Sequence, residues 1–284
     1  MRAQLAQQTL LLSGLTYAEA PRWRNGLLYF SDMHGQKVMT VNAKGKSAVV
    51  GSVPTRPSGL GFMPDGSLLI VSMEDRRLLR LKDGHIATHA DLSTVFDSEP
   101  NDMVVDRLGR AYVGSIGRVP ADELRPQPSP LVIVTPDGNV RVVAKDLEMP
   151  NGAVITADGR RLIVAETVGK RLTSFDVGFD GSLKNKRTFA TIAEGSPDGM
   201  CLDGAGGIWV GLPNGDQFIR VVEGGKVTNR IPTPGKMAVS CALGGSDRRT
   251  LFLLTAERQE PDIKANRRAW VSSIRVETPG AGWP

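Results

Sequence analysis

The chain has 284 residues, 40% of them hydrophobic and 23% charged, which is enough for one large globular domain or two average ones. Its net charge of +5 comes from scattered lysines and arginines, and aromatic residues make up only 5%, so a basic stacking surface for nucleic acid is not expected. No run approaches the ~18 consecutive apolar residues of a membrane-spanning helix.

The first segment, MRAQLAQQTLLLSG, holds a short broken apolar run that is too short for a secretory leader. Cys201 and Cys241 lie far apart, with no paired-cysteine spacing, and read as free thiols of a reduced, cytoplasmic protein. The 32 glycines and 18 prolines predict many short strands joined by tight turns.

In chain order, Leu10 to Ser13 reads as a strand, and a repeat begins after it. Ala20-Pro21 leads into RNGLLYFSD, Pro57-Ser58-Gly59 into PDGSLLIVS, and Pro100-Asn101-Asp102 into DRLGRAYVG. Pro150-Asn151-Gly152 leads into ADGRRLIVA, and Pro197-Asp198-Gly199 into DGAGGIWVG. A sixth, proline-free copy runs from Met237-Ala238-Val239 into GGSDRRTLFLLT. The prolines recur at roughly the length of a four-stranded propeller blade. Within each copy an Asp-Gly or Asn-Gly pair supplies the positive φ of a hairpin turn between β-rich runs.

The expected fold is therefore all-β: residues 1–284 form a single six-bladed β-propeller of four-stranded blades around a central metal site. Trp270 to Val276 is expected to pair with Leu10 to Ser13 and close the ring, since a propeller must protect its sheet edges. The segment from 118 to 130 reads as an inserted loop, and the sequence leaves open whether it acts as a lid.

A propeller's innermost strands face its axis, so the residues that begin them should converge. Asn101, Asn151 and Asp198 follow their blade prolines, and Glu19 stands just before Pro21. Two carboxylates and two amides are hard oxygen donors and suit Ca²⁺. Mn²⁺, Mg²⁺ and Zn²⁺ are alternatives, zinc being the poorest match because no His or Cys shares the repeat position. Ser58 holds that position in the second blade, so the position does not demand a ligand.

With these motifs, Glu19-Ala20-Pro21-Arg22-Trp23, Pro100-Asn101-Asp102 with Asp106, Pro150-Asn151-Gly152 and Pro197-Asp198-Gly199-Met200, the chain resembles the SMP-30/gluconolactonase/LRE family over nearly its whole length. The resemblance implies a divalent metal held by Glu19, Asn151 and Asp198, with Asn101 as ligand or substrate contact and Asp198 as general base. It also implies hydrolysis of a small-molecule lactone or ester. Gluconolactonases carry an arginine where this chain has Glu99, so the substrate shell departs from the sugar-lactone pattern. Trp23 and Ser240 are further candidates for substrate contact. Either Asp198 or a metal-bound hydroxide would activate water. A phosphotriesterase on the same residues and a non-catalytic metal-binding propeller are the alternatives. The oligomeric state is not legible.

Overall fold

A computed structural model describes residues 8–258 and 268–282 of the chain. Among these residues regular structure is all strand, apart from one 3-10 turn at Pro213–Gly215. The strands form six antiparallel four-stranded sheets, five of them built from consecutive strands. The expected six-bladed propeller is what forms.

Local turn chemistry explains the blades. In the first, Asn25 and Gly26 both take positive φ, +50° and +81°, and join Ala18–Arg24 to Leu27–Asp32 through a two-residue hairpin. In the next four blades an aspartate closes the corresponding turn. Asp65, Asp106, Asp158 and Asp203 each accept a hydrogen bond from the backbone N–H two residues on.

The apolar faces then bury between blades rather than on the axis. Leu69, Val71 and Leu78 of the second blade pack with Met103, Val113 and Val132 of the third, for example. The ring closes as the sequence suggests. Thr9–Leu15 pairs antiparallel with Ala269–Arg275 and supplies the outer strand of the sixth blade.

Six inner strands surround the axis: Ala18–Arg24, Pro57–Phe62, Pro100–Val105, Pro150–Ile155, Met200–Leu202 and Lys236–Gly244. One hydrogen bond recurs at the ends of the first four and fixes which of their residues correspond. Met33, Met73, Ile116 and Thr167 donate their N–H groups to the carbonyls of Tyr17, Arg56, Glu99 and Met149. Ala18 is therefore the counterpart of Pro57, Pro100 and Pro150. Pro21 is not the proline of the first blade; it lies three residues further along its strand.

Glycine lets the inner strands approach closely. A Cβ on Gly59 would fall 2.8 Å from the carbonyl oxygen of Asn101, and one on Gly152 would fall 2.6 Å from that of Asp198. At Gly199 it would fall 2.8 Å from the Cα of Ser240.

Candidate metal and active site

With blades so aligned, and with Met200 paired to Val210 as Ala153 is to Val164, Glu19, Asn101, Asn151 and Asp198 occupy one equivalent position in blades one, three, four and five. Ser58 and Val239 hold it in the other two. The four expected donors are all buried.

Their surroundings leave oxygens in need of a partner. Asn151 gives its amide N–H to Thr167 Oγ1 at 3.2 Å, and Thr167 in turn donates to the carbonyl of Pro197 at 2.8 Å. The amide orientation is thereby fixed, and Asn151 Oδ1 is buried without a hydrogen bond. Asp198 Oδ1 is orphaned in the same way. Unmet buried oxygens cost roughly 1–3 kcal/mol each unless something satisfies them. Glu19 accepts from the N–H of Ala20 at 2.8 Å, and Ala20 takes φ +50°, a conformation that costs an alanine about 1 kcal/mol.

Asn101 differs. Its Oδ1 accepts from Ser58 Oγ at 2.9 Å, and the Ser58 carbonyl accepts from Ser31 Oγ at 2.6 Å.

Two site residues escape the repeat pattern. Asp102, beside Asn101, is a third buried carboxylate, and the buried Arg22 of blade one reaches it across the ring. Arg22 pairs with Asp102 at 3.4 Å and donates to the carbonyls of Met103 at 2.6 Å and Pro21 at 2.8 Å.

Burial, and then repulsion by Asp102, pushes the Asp198 carboxyl up to about 8. The adjacent Asn151 amide and Gly199 N–H pull it the other way. Glu19 is raised well above the usual range by burial, then by Asp198 and Asp102. Asp102 is raised by burial, which outweighs the attraction of Arg22. Three clustered carboxylates against one guanidinium would carry a net charge of about −2 when ionised, matching a divalent cation. Among the described residues no three His, Cys, Asp or Glu side chains gather into a metal cage of their own. A cation here would depend on the amide oxygens as well.

The expected substrate contacts fall in different places. Glu99 stands partly exposed at the donor end of the channel and forms an ion pair with Arg56 of the neighbouring blade. The inserted loop leaves its blade at this same end, after Ser115, where Ile116 donates to the Glu99 carbonyl. Ser240 is buried one residue beyond Val239 and packs against Gly199. Trp23 lies further along its strand than Glu19 and stacks on Phe252, ring centroids 5.0 Å apart. His89 bonds to the Thr135 carbonyl, and His34 packs edge-on against Tyr17. Cys201 and Cys241 are free thiols on neighbouring inner strands, with sulfurs 3.7 Å apart. No helix among the described residues is long and apolar enough to cross a membrane.

The sequence profile of the SMP-30/Gluconolactonase/LRE-like region matches residues 17–257. The chain belongs to that family. Within the SMP-30/gluconolactonase/LRE-like proteins it is 28% identical to a regucalcin of Xenopus laevis, over 84% of this chain and 82% of the relative. It is 30% identical to a pentonolactonase of Haloferax volcanii, over 70% of this chain and 67% of that enzyme. A solved structure described as a calcium-binding protein, regucalcin, from Agrobacterium tumefaciens superposes with a TM-score of 0.82 at 21% identity, covering 98% and 97% of the two chains. That likeness confirms the propeller architecture of this family member.

Proposed function

We propose that the chain is a lactonase that opens a small lactone or related ester at the donor end of the channel, with a divalent cation, Ca²⁺ first, held by Glu19, Asn151 and Asp198. The observation that carries this reading is the pair of orphaned buried oxygens, Asn151 Oδ1 and Asp198 Oδ1, on equivalent positions of adjacent blades. The pentonolactonase activity named for the Haloferax relative supports lactones as the substrate class. When bound, the cation would supply Lewis acidity toward the carbonyl oxygen.

The chain's own residues then do the rest. In the cation-loaded site Asp198 would be ionised and placed to take the proton from the attacking water, the cation drawing its pKa below the raised value of the cation-free site. Asn101 already has its carbonyl engaged by Ser58, which favours substrate contact through its amide N–H groups over ligation. Arg56 is shared by Glu99 and, at 3.9 Å, by Glu74, so this cluster carries no excess positive charge, which favours an uncharged lactone over an acidic one.

The test is hydrolysis of gluconolactone, γ- and δ-lactones, dihydrocoumarin, an aryl ester and paraoxon. Each is run on EDTA-treated protein and again after Ca²⁺, Mn²⁺, Mg²⁺ or Zn²⁺ is restored. Metal-dependent lactone turnover that disappears in Asn151→Ala and Asp198→Ala is expected. Folded protein that binds cation yet turns over nothing would favour a binding propeller, and turnover of paraoxon alone would favour a phosphotriesterase.

A further inference from the structure

Beyond the donor positions, the inner strands of five blades line a cavity of about 450 Å³. Its walls come from residues two to six positions further along those strands than the donors, such as Val104, Ile155 and Leu202, so it lies toward the opposite end of the channel. The C-terminal stretch Gly280 to Gly282 completes it.

The charge of this cavity is one-sided. Arg22, Arg24 and Arg248 line it, and no aspartate or glutamate does. Arg22 is balanced by Asp102. Arg24 and Arg248 pair with no carboxylate among the described residues. Their lack of partners stands out against the equivalent blades. Asp106 and Asp203 take the place of Arg24 in blades three and five, and each is neutralised within its own blade, by Arg110 at 2.6 Å and by Arg220 at 2.5 Å. Blade one reverses that charge. Its guanidinium carbon lies 4.7 Å from the centroid of the Phe62 ring, a cation–π contact that engages no hydrogen-bond acceptor. Trp23, Ile155 and Leu243 supply apolar wall to the same cavity.

We propose that this far-end cavity is a second binding site, for a small organic carboxylate that sets its anion against Arg24 and Arg248 and its apolar body against Trp23 and Leu243. Guanidinium groups match carboxylates in planar, two-pronged geometry, and the volume falls within the ~300–1,000 Å³ of small-molecule sites. The site uses none of the donor residues and stands whether or not the lactonase reading holds.

Calorimetric titration of the full chain with benzoate, benzamide and inorganic phosphate tests it, using wild type, Arg24→Gln, Arg248→Gln and Asp198→Asn. Saturable benzoate binding that weakens as salt rises is expected, at least tenfold weaker in either arginine variant and unchanged in Asp198→Asn. Lactone turnover should be unaltered in Arg24→Gln. Benzamide binding as tightly as benzoate, phosphate binding without benzoate, benzoate affinity lost in Asp198→Asn, or benzoate affinity untouched by both arginine changes would each overturn the proposal.

Discussion

Replacing Asp198 with asparagine should stabilise the cation-free protein, and only at high pH. An aspartate in an unfolded chain titrates near 3.9. In the folded, cation-free site burial and Asp102 raise Asp198 to about 8. The folded state thus binds this proton more tightly than the unfolded state does. The resulting stability is fully present below about pH 4 and is lost as pH rises through about 8. A difference of roughly four pH units, at about 1.36 kcal/mol each, sets a ceiling near 5 kcal/mol. At about 2–4 °C per kcal/mol for a chain of this size, that corresponds to roughly 10–20 °C in melting temperature. Asparagine does not titrate. Measured by circular dichroism in EDTA, the variant's advantage over wild type should therefore widen by about 9–18 °C between pH 4.5 and 8.5. Saturating Ca²⁺ should reverse the ranking at pH 8.5, because cation binding stabilises only the protein that keeps the carboxylate. An equal difference between variant and wild type at both pH values would refute the argument, showing that the site is solvated enough to ionise freely.

Other expectations rest on single contacts. Arg22→Met should cost about 3–5 kcal/mol in urea unfolding near neutral pH, because it leaves Asp102 buried without its counter-charge. Thr167→Val should weaken Ca²⁺ binding by about 10-fold with little change in fold, since it frees the Asn151 amide that Thr167 orients. Gly199→Ala should prevent folding or cost several kcal/mol, because its Cβ would lie 2.8 Å from the Ser240 Cα, which no rotamer change relieves. Burial pushes the Cys201 thiol well above its ordinary range. Cys201 should therefore react with a thiol-specific reagent at pH 8 only after denaturant is added, as read by mass spectrometry.

The blades are legible in the sequence because their signals are local. An aspartate that closes its turn two residues on, as at Asp65 or Asp203, leaves the same mark in every copy. Three of the donors, Asn101, Asn151 and Asp198, are legible because each follows a blade proline. Pro21 misleads, since a second proline falls within the first inner strand while Ala18 holds the true position; Glu19 nonetheless sits where the others do. Arg22 and Asp102 are invisible at this level. They are 80 residues apart, and only the ring geometry brings them together. The same holds for Glu99, whose partner Arg56 comes from the preceding blade. Thr167 escapes because it orients Asn151 from the next strand of the blade rather than from the repeat position.

The pairing of Thr9 with Ser273 has a consequence for biosynthesis. The outer strand of the last blade leaves the ribosome before the other strands of the ring, and its partner follows roughly 260 residues later. At about 5–20 residues per second, Leu10, Leu11 and Leu12 wait on the order of 10–50 s as an unpaired apolar edge. Five blades can assemble in that interval while the sixth stays open. Nascent chains should therefore be most prone to chaperone capture and to swapping strands with a neighbour late in synthesis, just before the final strand appears.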